Sequence, residues 1–176
     1  MRFTPSELPE TAIVDVEGHV DSRGLFARTF CENEFAAAGL PTRFVQSSVS
    51  FNTRRGTLRG LHYQVPPKAE GKLVRCTRGA IYDVVVDLRS ESATFLRWIG
   101  VELTAENRRA LYVPPGCAHG FQTLTDDTEV LYLMTEFYAP ETARGVRWND
   151  PIFGVEWPIP NPTLSERDAA YPDFRP

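Results

Sequence analysis

A chain of 176 residues with 42% hydrophobic and 24% charged residues has the make-up of an ordinary globular protein with enough length to bury a core. A formal net charge of −4 excludes a general nucleic-acid binder, which would show a basic face, but 19 Lys and Arg leave enough cations for a phosphorylated ligand. No apolar run approaches the length of a membrane span, and Met1–Glu10 lacks the apolar core of a signal peptide.

The one segment that reads well as a helix is Glu32–Ala38, stopped by Gly39 and Pro41. Beyond it the chain becomes strand-like. Lys72–Arg78 places apolar residues at alternate positions before Gly79, and Ala80–Leu88 is rich in β-branched residues. Phe95–Leu103, Arg109–Val113, Gly120–Leu124 and Glu129–Tyr138 continue the series, with a short turn at Thr104–Arg108. Pro114-Pro115-Gly116 and Asp126-Asp127 punctuate it. Many short strands with little helix predict an all-β antiparallel jelly roll, with a plain sandwich as the alternative. From Pro151 onward the chain is rich in proline and is expected to lie over the barrel as irregular structure within a single domain spanning 1–176.

Cys31, Cys76 and Cys117 are odd in number and form no CxxC pair, which points away from a disulfide framework or a zinc site and toward a reducing cytoplasm. The histidines are His19, His62 and His119. A barrel bearing histidines suggests a metal-binding cupin, but such a site wants two histidines close on one strand, a carboxylate and a further histidine. Gln64 stands two residues after His62 and no Glu follows closely, so metal-dependent oxygenase chemistry is set aside. Acid–base chemistry remains. Lys72, in its strand, either points into a barrel mouth, where it would stabilise charge on an oxygen, or lies solvated on the surface. Tyr132, by local sequence, reads as a core aromatic.

Six segments in order carry a family resemblance: Gly56–Gln64 (GTLRGLHYQ), Gly71–Cys76, Gly79–Arg89, Pro114–Phe121, Tyr132–Glu141 and Leu164–Asp168. Together, from about Asp21 to about Asp173, the chain resembles the dTDP-4-dehydrorhamnose 3,5-epimerases. The resemblance implies a cupin-like jelly roll, a homodimer, no metal or organic cofactor, and a nucleotide-linked 4-keto-6-deoxyhexose as substrate. It implies His62 as catalytic base with Asp168 as partner, Tyr132 as general acid and Lys72 beside the ketone. On the substrate side it implies Arg23, Gln46, Arg59, His119 and Tyr138, the last stacking on the nucleotide base, and Arg28 and Arg167 are taken as further substrate-binding candidates. Removing a proton alpha to a ketone needs a positioned base of matched pKa and a group that neutralises the enolate oxygen, which fits this set of residue types.

The chain also departs from the family. Arg28 stands where a glutamate is usual, Gln46–Asn52 (QSSVSFN) replaces the common QDNHS pattern, and Ala143 aligns with a further glutamate. These differences lie on the nucleotide side and leave open the base, and whether one or two carbons are inverted. The competing expectations are a mono-epimerase or a 3,4-ketoisomerase acting on a dTDP- or CDP-linked sugar, and a non-catalytic cupin that binds a sugar nucleotide.

Overall fold

The computed structural model describes residues 1–176. In chain order its elements are β1 (Arg2–Pro5), β2 (Ala12–Asp15), β3 (Gly18–Asp21), β4 (Gly24–Ala27), α1 (Glu32–Ala37), β5 (Gln46–Asn52), β6 (Leu58–Gln64), β7 (Lys72–Arg78), β8 (Ala80–Asp87), β9 (Trp98–Thr104), β10 (Ala110–Val113), β11 (Cys117–Thr123), β12 (Thr128–Met134), β13 (Ala143–Gly145) and α2 (Glu166–Ala169). Two antiparallel sheets face each other, one in the order β1-β2-β10-β7-β12-β5 and the other β13-β6-β11-β8-β9. β3 and β4 form a separate hairpin. No helix is long and apolar enough to cross a membrane.

Side-chain alternation sorts each central strand between two covered faces. Val74, Cys76, Leu111, Val113 and Val130 from the first sheet meet Ile81, Val85, Leu103, Cys117 and Phe121 from the second. Outside the first sheet, Leu73, Ala110 and Tyr112 pack under α1 through Phe35. Outside the second, Leu61, Val84, Val86 and Ala118 pack under Val146, Phe153, Trp157 and Phe174 from the C-terminal segment. Coverage of both faces explains the unbroken valine run of β8, since a strand buried on both sides needs no polar alternation. Burying one such side chain contributes about 2 kcal/mol.

Several expected elements shift. The helix ends at Ala37, with Gly39 at φ +71° accepting the left-handed position that closes it. β11 begins at Cys117 rather than Gly120, so His119 sits within the strand instead of in the loop before it. The strand expected from Phe95 begins only at Trp98. Asp87 holds the preceding loop by accepting hydrogen bonds from Arg89, Ser92 and Thr94 at 2.9, 2.6 and 2.7 Å. The strand expected over Glu129–Tyr138 stops at Met134. β1 to β6, β13 and α2 were not among the expected elements.

One irregularity in β6 decides which residues face inward. His119 pairs with His62, but Phe121 pairs with Arg59, so β6 carries one extra residue at this point. Residues three apart in a regular strand face opposite sides; the bulge turns both Arg59 and His62 to the interior. Gly60 lies in the bulge at φ +146°, where a Cβ would come within 2.6 Å of Gly120 Cα. Gly60→Ala is therefore expected to cost about 2 kcal/mol or more. Urea unfolding measures this, and an unchanged midpoint would contradict the tight contact.

Candidate active site

The interior between the sheets is apolar at one end and polar at the other. The polar end is built by register. His62 on β6 lies opposite His119 on β11. On the facing sheet, Lys72 of β7 lies opposite Met134, and Tyr132 of β12 lies between Val74 and Ser48. β5 turns Gln46, Ser48, Ser50 and Asn52 to the same side as Met134, Tyr132, Val130 and Thr128. His62 and Tyr132 thus come from sheets that face each other.

His62 Nε2 donates to Asp168 Oδ1 at 2.7 Å, leaving Nδ1 without a hydrogen bond in the chain. Asp168 is placed by a helix cap. Ser165 precedes α2, and its Oγ accepts from the Asp168 N–H at 3.1 Å, which fixes the carboxylate three residues later. The other oxygen, Oδ2, accepts from the Gly60 N–H at 3.4 Å, so the bulge that aims His62 also touches its partner. Burial alone would raise the Asp168 carboxyl; the hydrogen bond and charge of His62, the Gly60 N–H and the Arg167 charge outweigh it and hold the group below its ordinary range. The carboxylate is therefore ionised at neutral pH, and it selects the imidazole tautomer whose free Nδ1 can accept a proton.

Tyr171 flanks this pair. Its ring meets His62 edge-on at 5.8 Å and lies over Gly145, where a Cβ would come within 2.2 Å of it. Arg167 Nε donates to the Tyr171 hydroxyl at 2.7 Å. The Arg167 guanidinium is held above its ordinary pKa, first by the Tyr138 hydroxyl and then by Tyr171. Tyr138 is itself exposed, and its N–H donates to Gln46 Oε1 at 2.6 Å. The C-terminal segment carrying Asp168 and Tyr171 is anchored at Asp150, which accepts from the N–H groups of Ile152 and Phe174 at 2.9 and 2.5 Å.

A second imidazole–carboxylate pair lies deeper. His119 Nε2 is 2.8 Å from Asp83 Oδ1, and both side chains are almost fully buried. Burial pushes the Asp83 carboxyl up against the opposing pull of His119, and its Oδ2 has no partner. The His119 ring stands edge-on to Tyr132 at 6.0 Å. Desolvation, followed by the Asp83 charge, raises the Tyr132 phenol well above its ordinary value, with Arg59 acting in the opposite sense. Tyr132 thus holds its proton firmly. Lys72 is 8% exposed and pairs with Glu70 at 2.7 Å. Arg59 donates from Nε to the buried Asn52 Oδ1 at 2.7 Å.

The structure therefore gathers His62, Asp168, Tyr132, Lys72, His119, Arg59, Gln46, Tyr138 and Arg167 at one end of the barrel. Arg23 and Arg28 stand apart from this cluster within the chain. Arg23 is an exposed hairpin residue bonded to Asp21, and Arg28 bonds to Glu34 at 3.0 Å. Gln64 is buried and structural: its amide spans the carbonyls of Lys68 and Phe137 and the Ala139 N–H. No three His, Cys, Asp or Glu side chains converge as a metal-binding group would. Asp83, Glu70 and Tyr171 escaped the sequence reading. Asp83 had a visible signal, as a carboxylate set directly before the valine run of β8; Tyr171 had none.

The lowered Asp168 pKa carries a signed prediction. The folded chain holds this proton less readily than the unfolded chain, so the stabilisation is complete above the ordinary value of 3.8 and is lost as pH falls through the lower folded value. Asp168→Asn is expected to flatten the loss of stability below about pH 4 and to lower turnover about 10²-fold or more. Urea unfolding down to about pH 3 measures the first effect, and equal acid slopes for the two proteins would contradict it.

The chain was compared with known proteins. A family model described as dTDP-4-dehydrorhamnose 3,5-epimerase matches residues 5–176. An enzyme of that name from Shigella flexneri is 44% identical over 169 residues, covering 96% of this chain and 93% of the relative. The crystal structure of a dTDP-4-dehydrorhamnose 3,5-epimerase from Bacillus anthracis, with TDP and PPi bound, superposes with a TM-score of 0.96 at 39% identity, covering 98% of this chain and 99% of that one. A 3'-monoepimerase from Streptomyces bikiniensis, in complex with dTDP-quinovose, has a TM-score of 0.89 at 37% identity, covering 96% and 86%. The polar end of this jelly roll, with its imidazole–carboxylate pair facing a protonated tyrosine, is thus found in a chain that belongs to the dTDP-4-dehydrorhamnose 3,5-epimerase family.

Proposed function

We propose that the chain epimerises a dTDP-linked 4-keto-6-deoxyhexose at C3 and C5, converting dTDP-4-dehydro-6-deoxy-D-glucose to dTDP-4-dehydro-L-rhamnose. The observation that carries this reading is the placement of His62 and Tyr132 on facing sheets, with His62 bonded to a buried carboxylate. His62 Nδ1 takes the proton from the carbon next to the ketone, and Asp168 stabilises the resulting imidazolium. The Lys72 ammonium donates to the enolate oxygen as charge develops there. Tyr132 releases its proton only to a strongly basic acceptor such as the enolate carbon, and delivery from the opposite side inverts the centre. Positioning by Arg59, His119, Arg167 and Tyr138 supplies the remaining rate enhancement. No step calls for a bound metal or organic cofactor, and the three free cysteines suit a reducing cytoplasm.

A second reading, inversion of one carbon only, draws support from the 37% identity to the Streptomyces bikiniensis 3'-monoepimerase and from Arg28 and Ala143 on the nucleotide side. We also propose a homodimer. The β3–β4 hairpin forms a two-stranded sheet of its own, which is rarely stable alone, and leaves Val20 and Phe26 76% and 77% exposed. Val49 and Phe51 on the edge strand β5 are also open. A second copy covering these side chains would bury them and give Arg23 a reason to stand away from its own chain's cluster.

Incubation with dTDP-4-keto-6-deoxyglucose in D₂O tests the chemistry. Deuterium is expected at both C3 and C5, whereas one deuteron would select the mono-epimerase. No exchange, with CDP and GDP analogues also inert, would overturn enzymatic function. His62→Ala is expected to abolish exchange, losing about 10²–10⁴-fold, while Tyr132→Phe loses inversion but retains some exchange. In sedimentation the chain is expected at twice its monomer mass and Phe26→Asp at the monomer mass; a monomeric wild type would contradict the dimer.

A further inference from the structure

We propose that Glu70 is a positioning residue for the ketone-side lysine, anchoring the Lys72 ammonium within the site through an ion pair. This rests on the role of Lys72 proposed above. The Nζ–Oε1 distance is 2.7 Å, and the two side chains are 10% and 11% exposed, the most enclosed lysine–carboxylate pair in the chain. The other one, Lys68–Glu136, is longer at 3.3 Å and far more open, at 41% and 29%.

The backbone between the two residues is held on both sides. The Gly71 N–H donates to Thr135 Oγ1 at 2.8 Å, and the Thr135 N–H donates to the Gly71 carbonyl at 3.0 Å. A Cβ on Gly71 would come within 2.6 Å of the Tyr112 hydroxyl, so a side chain here would have to displace the Tyr112 ring. Glu70 and Lys72 thus flank a backbone segment tied to Thr135, with Lys72 entering β7 on the face that carries Val74 and Cys76 inward.

An enclosed ammonium without a counter-charge is costly, and removing one member of such a pair leaves the other charge uncompensated. Lys72 makes no other ion pair, and the buried carboxylates of Asp83 and Asp168 are engaged by His119 and His62. Glu70 thus supplies the anion that lets a lysine reside here before substrate binds. An ammonium has three N–H donors, so contact with Glu70 leaves others free for an enolate oxygen. The charged form matters chemically as well: an ammonium donates hydrogen bonds, whereas a neutral amine beside a ketone acts as a nucleophile.

A double-mutant cycle tests the pair, with circular dichroism confirming that each variant is folded. Glu70→Ala is expected to lower kcat roughly tenfold or more with KM held within about twofold, and Glu70→Gln, which keeps the shape but not the charge, to recover little of the loss. In a Lys72→Ala background, Glu70→Ala is expected to have no further effect, because its role is exercised through the lysine. Unchanged kcat in Glu70→Ala, or losses that simply add, would overturn the proposal. Full activity in Lys72→Ala would instead overturn the enolate role of that residue. The ion pair is then judged by ¹⁵N spectroscopy of the lysine side chains: an exchange-protected Lys72 ammonium signal that disappears in Glu70→Ala supports it, and no such signal in the wild type overturns it.

Discussion

The hydrogen bond from His62 to Asp168 joins residues 106 positions apart, and much of the fold serves to make it. One end depends on the β6 bulge, without which His62 and Arg59 would face opposite sides. The other depends on Ser165, which caps a four-residue helix and sets the direction of Asp168. Between them, Asp150 and the pairing of Arg147 with Asp173 at 2.7 Å hold the C-terminal segment against the five-stranded sheet. The irregular, proline-rich end of the chain is thereby a structural part of the site. Its covering of Leu61, Val84 and Val86 and its delivery of Asp168 are two results of one packing event.

Charge is distributed in this interior so that each ionisable group has a distinct state. Asp168 is held down by its hydrogen bonds, whereas Asp83, more deeply buried with one oxygen unpaired, is pushed up. The two imidazoles face each other across adjacent strands, but only His62 is open enough to meet a ligand freely, at 39% exposure against 4% for His119. Tyr132 packs on Phe121 and His119 at the boundary between the apolar core and the polar end, and this location keeps its proton in place. Desolvation that would be a liability elsewhere separates an acid from a base here.

The fold was legible wherever the inward face is apolar. β7 and β8 followed directly from alternation and β-branched content, and the helix from its Gly39 stop. β5 was missed because its pattern is inverted: Gln46, Ser48, Ser50 and Asn52 face inward while Val49 and Phe51 face out. A rule that sends hydrophobic residues inward fails where the interior is a binding site. β6 was hidden by Gly60, which lies in the bulge and breaks the alternation. His62, Tyr132, Lys72 and Asp168 entered through their motifs; local sequence alone left Lys72 between a barrel mouth and the surface and made Tyr132 a core aromatic. Their partners Glu70 and Asp83 have no equally visible motif, since the contacts that give them meaning are made only by folding.

The nucleotide side is where this chain differs from the family's usual pattern. Arg28 is engaged with Glu34 rather than with the barrel interior, and Ala143 lies in β13 opposite Gln64. Neither residue is bonded to His62, Asp168, Tyr132 or Lys72, so both differences leave that cluster's hydrogen bonds intact. In the proposed mechanism, one sugar carbon is approached from opposite faces by His62 and Tyr132. A crystal structure of the chain with a bound dTDP-4-keto-6-deoxy sugar measures this directly. Expected is His62 Nδ1 on one face of the carbon next to the ketone, Tyr132 Oη on the other, and Lys72 Nζ at the ketone oxygen. Both groups on the same face, or a sugar seated away from them, would contradict it.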